Sequence, residues 1–175
     1  MGKEEYLNAV EAKVDQYGVA IQTVVPESPD SDGAGWGYTV GLFEVGHPEF
    51  LISGFPREIA TPFLNDMASA VLKSGMRFDT GKRVRGLVQH GYVWLTHVAN
   101  THETLGVAHE ILGRKHPNRH DAELSALQVV FPDANDRWPW QEDYGLQAAT
   151  LFGPVPQGRL ELKLPAAEVR RSQGW

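Results

Sequence analysis

Two pairs of short apolar runs, each pair joined by only a few residues, commit much of this chain to a sheet built from hairpins. WGYTVGL (36–42) and EFLISG (49–54) are separated by FEVGHP, and VRGLV (84–88) and YVWLTHV (92–98) by Gln89-His90-Gly91. Short runs rich in β-branched and aromatic residues, bounded by Gly and Pro, read as strands, and connections this short suit antiparallel neighbours. VAIQTVV (19–25) and LQVVF (127–131) have the same character, and RLELKL (159–164) alternates as a late edge strand would. PESPDSDGAG (26–35) is a loop dense in residues that break regular structure.

Three segments carry the helical period instead. Residues 3–17 place Leu7, Val10 and Val14 on one stripe, with Gly18 as a C-terminal stop. Between Phe55 and Gly75, the residues Ile59, Phe63, Met67 and Val71 recur every four positions; Pro62 predicts that the regular part starts near it. THETLGVAHEILGRKHP (101–117) reads as one helix, with Thr101 as N-cap and Pro117 as terminator. The expected class is α+β, a mixed, mostly antiparallel sheet packed with two to three helices on one side. The expected organisation is one domain over residues 1–153, followed by a partly flexible C-terminal extension over 154–175.

Composition narrows the chemistry. Without a cysteine the chain can form no disulfide, thiolate zinc site or iron–sulfur cluster. No run approaches the roughly 18 apolar residues of a membrane span, and the N-terminus is charged rather than signal-like, so a cytoplasmic protein is expected. With a net charge of −6 and only Lys82-Arg83-Arg85 and Arg170-Arg171 as basic clusters, nucleic acid is disfavoured as a partner. GAGWGYTVG (33–41) lacks the lysine and the following helix of a phosphate loop, no serine sits in a glycine-flanked elbow, and no motif names a cofactor.

His102, His109 and His116 are spaced seven apart. On one regular helix they would share a stripe with neighbours roughly 10.5 Å apart, too far for a common metal. They read as boundary histidines beside the apolar face of Leu105, Ala108, Ile111 and Leu112. His97 shares a strand face with Val93 and Leu95 and is expected to point inward. His47-Pro48-Glu49 lies between two apolar strands, where a histidine beside a carboxylate forms a usable acid–base pair, or where the polar groups simply bond the turn backbone. From Gln128 to Trp140 the chain becomes polar and aromatic: Asp133-Ala-Asn-Asp136 is a turn cluster, and Trp138-Pro139-Trp140 sets two indoles around a rigid proline. Such a loop can wall a ligand pocket or cap a core strand.

YTVGL (38–42), GHPEFLISG (46–54), LQVVFPD (127–133) and the downstream WPW with Gln147 resemble the signature blocks of the domain of unknown function 4262 family, small bacterial proteins that are often actinobacterial. The resemblance runs from about Gly18 to Leu151 and brings no established activity. It implies that Tyr38, Thr39, Gly41, His47, Pro48, Glu49, Gln128, Asp133, Pro139, Trp140 and Gln147 occupy recurring positions. The expected function is small-molecule or peptide binding at a polar and aromatic pocket where these blocks converge. Tyr38, Thr39, Gln128, Asp133, Trp138, Trp140 and Gln147 would contact the ligand; if the site is catalytic, His47 would act as acid or base with Glu49 orienting it. The alternatives are a non-catalytic protein-interaction module and a histidine–carboxylate metal site combining His47 with His90 or His97.

Overall fold

A computed structural model describes residues 2–25, 35–88, 91–119, 124–146, 149–158 and 161–163. Its centre is a seven-stranded sheet: β1 (Ala20–Val24), β2 (Trp36–Val40), β3 (Glu49–Ser53), β4 (Arg83–Arg85), β5 (Val93–His97), β6 (Ala126–Val130) and β7 (Glu161–Lys163). The spatial order is β1-β2-β3-β6-β5-β4-β7. Both expected hairpins form, with Tyr38 opposite Leu51 in one and Arg83 opposite Trp94 in the other. The β1–β2 and β5–β6 pairs are antiparallel as well, whereas β3–β6 and β4–β7 are parallel, so the sheet is mixed and mostly antiparallel. The seventh strand comes from the expected C-terminal extension and pairs with β4; residues 164–175 lie outside the described residues.

The helices are α1 (Lys3–Tyr17), α2 (Arg57–Ser74), α3 (Thr101–Thr104) and α4 (Gly106–Lys115). They cover both faces of the sheet, which corrects the expectation of one. Helix α2 buries Phe63, Leu64, Met67 and Val71 against Phe50, Ile52, Leu95 and Leu127. On the opposite face, Leu7, Val10 and Val14 of α1 and Ala108, Ile111 and Leu112 of α4 pack against Tyr38, Val40 and Leu51. The signal for a two-sided sheet is present in the sequence: Phe50-Leu51-Ile52 is a continuous apolar run, as expected of a strand covered on both faces. No described helix is long and apolar enough to cross a membrane.

Two helical expectations shift. Helix α2 begins at Arg57 and carries Pro62 within it. Pro62 and Glu58 are both exposed, so the hydrogen bond that proline cannot donate is lost on the solvent side of the helix, where its absence costs least. The 101–117 segment is not one helix. Asn100 rather than Thr101 caps α3, its side chain accepting from the Glu103 amide at 3.4 Å, and Leu105 (φ −122°, ψ 42°) breaks the helix before α4.

Candidate functional site

Glu49 opens β3 and is completely buried. Its carboxylate accepts hydrogen bonds from Thr39 Oγ1 at 2.5 Å, the Gly41 amide at 2.9 Å and the Phe43 amide at 3.1 Å. Thr39 Oγ1 in turn accepts from the Phe50 amide at 2.8 Å. The carboxylate therefore anchors the short 3-10 turn Leu42–Val45 that links β2 to β3. Burial pushes its pKa up, and the hydrogen bonds from Thr39, Gly41, Phe43 and Leu42 pull it only part of the way back, to about 7.

His47 is nearly as enclosed, with 4% of its surface exposed. Its Nδ1 lies 2.6 Å from the Pro48 carbonyl, and its Nε2 accepts from the Phe78 amide at 3.0 Å. An acceptor at Nε2 and a carbonyl at Nδ1 together define the neutral tautomer protonated on Nδ1. Burial depresses its pKa, and its ring packs against Phe50 and Phe78. His47 and Glu49 thus bond different groups and not each other: Glu49 holds a turn, and His47 ties that turn to the connection between α2 and β4 at Phe78.

Tyr38 and Thr39 point to opposite faces of β2. While Thr39 serves Glu49, the Tyr38 hydroxyl accepts from the Val107 amide at the start of α4 at 3.3 Å, and burial raises its pKa to about 12. Tyr38 also floors a cavity of about 450 Å³ walled by Tyr6, Leu7, Trp36, Thr104 and Val107, with the Lys3–Glu110 ion pair (2.6 Å) at its rim.

The polar residues around β6 work as scaffold. Gln128 donates to the Thr150 carbonyl at 2.6 Å and to Ser53 Oγ at 3.3 Å, and accepts from the Phe152 amide at 2.7 Å, fastening the 149–156 segment across the sheet. Asp133 Oδ1 accepts from the Asn135 and Arg137 amides at 2.8 and 2.9 Å, and Oδ2 from the Gly145 amide at 2.8 Å and Arg137 Nε at 3.1 Å. Burial would raise the Asp133 pKa, but the backbone amides of Arg137, Gly145 and Asn135 and the charge of Arg137 outweigh it and hold it at about 2. Asp133 is thus the clasp of the loop that displays the tryptophans. Asp133→Ala is expected to speed amide exchange at Asn135, Arg137 and Gly145 by about tenfold or more, while leaving exchange in β3 and β6 unchanged; protection retained at Gly145 would contradict this role.

Beyond that clasp, Trp138 stacks on Trp140 with centroids 5.4 Å apart and planes 9° from parallel, and on Tyr92 at 5.4 Å and 26°. Trp94 meets Trp138 edge-on at 6.5 Å. The Arg83 guanidinium lies over Tyr92 at 4.7 Å and over Trp94 at 4.6 Å. Trp138, Trp140, Tyr92 and Arg83 are half-buried, so a continuous row of aromatic faces reaches the surface next to a cation. Each stacked pair is worth about 0.5–1.5 kcal/mol beyond the area it buries.

The expected ligand contacts do not meet in one pocket. β3 and β6 run in parallel, so His47 precedes and Glu49 begins the pair while Asp133, Trp138 and Trp140 follow its last residues. Four residues of strand, about 13 Å by rise, lie between these ends. Tyr38 belongs to β2, three strands from the β5 of Trp94. Gln147 and His90 lie outside the described residues. Arg83, Tyr92 and Trp94, which were not among the expected site residues, lie beside the indoles of the WPW loop. Their signal was there: Arg83-x-Arg85 and Tyr92-x-Trp94 alternate on facing strands, which puts all four on one face.

Two histidine readings are corrected. His97 is exposed, because the cover that buries Val93 and Leu95 stops before the end of β5. The break at Leu105 brings His102 and His109 together, their rings stacked at 3.9 Å and 16°, where a regular helix would have kept them apart. His116 caps the end of α4 and bonds Glu44 at 2.9 Å. Among the described residues no three His, Asp or Glu side chains are grouped to hold a metal.

The family described as domain of unknown function (DUF4262) matches residues 13–145, most of the chain and all of the blocks discussed above except Gln147 and the segment beyond. No curated protein and no solved structure gives a significant match.

Proposed function

The chain belongs to the DUF4262 family, and from that premise we propose that it binds a small molecule or the end of a peptide on the aromatic face of Trp138, Trp140, Tyr92 and Trp94. The observation that carries this reading is the nearly parallel Trp138–Trp140 stack, half-buried at the surface and held by a loop with its own carboxylate clasp. Large, rigid aromatic surfaces beside a few oriented polar groups are the usual fabric of ligand sites, and fixing them in advance lowers the ordering cost of binding. Acid–base chemistry is left out of this proposal, because His47 would have to surrender both of its hydrogen bonds and leave its apolar surroundings to reach a substrate.

The test is a fragment and short-peptide screen followed through the indole N–H resonances. Ligands are expected to shift Trp138 and Trp140, and Trp140→Ala should weaken them by about tenfold, the cost of one lost stacking partner. Hits that instead shift Trp36, beside the Tyr38 cavity, would move the site to that cavity and defeat the proposal.

A further inference from the structure

Resting on that reading, the surroundings of Arg83 narrow the class of ligand. Arg83 lies on β4, opposite Trp94, and its Nε is buried with no hydrogen-bond partner among the described residues. The contacts described for its guanidinium are with the Tyr92 and Trp94 rings. These attract its charge through their π-faces and accept none of its N–H protons in a conventional hydrogen bond. The neighbouring Arg85 is satisfied differently: its Nε bonds Glu161 at 2.5 Å and its terminal nitrogen the Gly91 carbonyl at 3.3 Å. Asp133, on the WPW side, is engaged by Arg137 and three backbone amides. Among the described residues, Glu161 and Asp133 thus direct their hydrogen bonds to partners other than Arg83.

A guanidinium carries five N–H donors in its plane, a fork that matches the two oxygens of a carboxylate or phosphate. Tyr92 continues into the Trp138–Trp140 stack, so the cation stands at one end of a row of flat apolar faces. A ligand that uses both features needs a planar ring to lie on the indoles and an oxyanion to meet Arg83. We propose that this face takes a planar ring carrying a carboxylate or a phosphate, with Arg83 as the anion-binding residue and Trp138 and Trp140 as the ring-binding ones.

Matched pairs of probes test this on the intact protein: indole-3-acetate against its neutral amide, and adenosine 5′-monophosphate against adenosine, each titrated while the indole N–H resonances are recorded. The anionic member of at least one pair should bind about tenfold tighter or more, shift Trp94, Trp138 and Trp140, and leave Trp36 in place. Whether the carboxylate or the phosphate pair gives the larger ratio identifies which oxyanion the site takes. Arg83→Gln should abolish the difference between anion and neutral partner, and Arg83→Lys, which keeps the charge without the fork, should retain part of it. An unshifted Trp36 resonance in each variant verifies that the fold is retained.

Equal binding of charged and neutral members in the wild-type protein would overturn the oxyanion assignment while leaving the aromatic face as the site. An anion preference that survives Arg83→Gln would overturn the role of Arg83. No perturbation of Trp138 and Trp140 by any of the four probes would overturn this inference, whereas the broader binding proposal would fall only if the fragment and peptide screen were also silent there.

Discussion

Glu49→Ala is expected to cost about 3–5 kcal/mol of folding stability, a large share of what a domain of this size possesses. The substitution removes the buried acceptor of the Gly41 and Phe43 amides and of the Thr39 hydroxyl, and leaves a cavity where the carboxyl stood. Glu49→Gln keeps an acceptor for the two amides and should cost far less, while changing how stability depends on pH. In the folded protein the carboxyl titrates at about 7, above its usual 4.5, so the folded state holds this proton more tightly than the unfolded chain does. Its contribution is therefore full below pH 4.5, falls as pH rises, and is gone above about 7, a span of about 3 kcal/mol. His47 acts in the opposite sense: with its pKa depressed, its contribution is present above 6.5 and is lost as pH falls below that value. Urea denaturation from pH 4.5 to 8 should show wild-type stability declining across this range relative to Glu49→Gln. Parallel curves for the two proteins would mean that Glu49 is ionised throughout.

The second large effect is expected at Gly153. A Cβ built there would lie 1.7 Å from the His97 carbonyl oxygen, so no side chain fits without lifting the segment away from β5. The contacts nearest the clash are the Ala99 amide on the Phe152 carbonyl at 2.9 Å, the Phe152 amide on Gln128 at 2.7 Å, and Thr96 Oγ1 on the Pro154 carbonyl at 2.6 Å. Gly153→Ala should lower stability by about 3 kcal/mol, a fall in Tm of roughly 6–12 °C for a chain this long. Gly113 is the control: nothing lies within 4 Å of its added Cβ, and alanine suits the exposed face of α4. A wild-type Tm for Gly153→Ala would mean that the 149–156 segment is not bound as described.

The strands were legible because their signals are local. A β-branched run, a short connection and a second run are enough to specify a hairpin, and both expected hairpins are present in the sheet. What escaped depends on contacts between distant segments. Periodicity in α1 shows that Leu7, Val10 and Val14 are buried, but not on which side of the sheet. The break at Leu105 is invisible to periodicity, since the apolar stripe lies on α4 and the four residues of α3 are all polar. The candidate site was half legible: the indoles of the WPW loop stand out as residues, but their partners Arg83, Tyr92 and Trp94 come from a hairpin more than 40 residues earlier. Glu49 and His47 were singled out for their chemistry, and both prove to be in polar networks whose geometry serves the turn.

The placement of β3 beside β6 has a kinetic consequence. The sheet contains two antiparallel groups, β1-β2-β3 and β6-β5-β4, each assembled from pairs that are comparatively close in sequence; the parallel β3–β6 pair is where they join, and β7 adds to the β4 edge through a second parallel pair. Its registered partners Glu49 and Ala126 are 77 residues apart, against 13 for Tyr38 and Leu51, so closure there costs about 1.5 kcal/mol more in chain entropy. Because the two groups can form independently before that junction closes, joining them is the step expected to limit the folding rate. Substitutions along β3 and β6 should therefore slow folding, whereas those confined to the β4–β5 hairpin should mainly hasten unfolding.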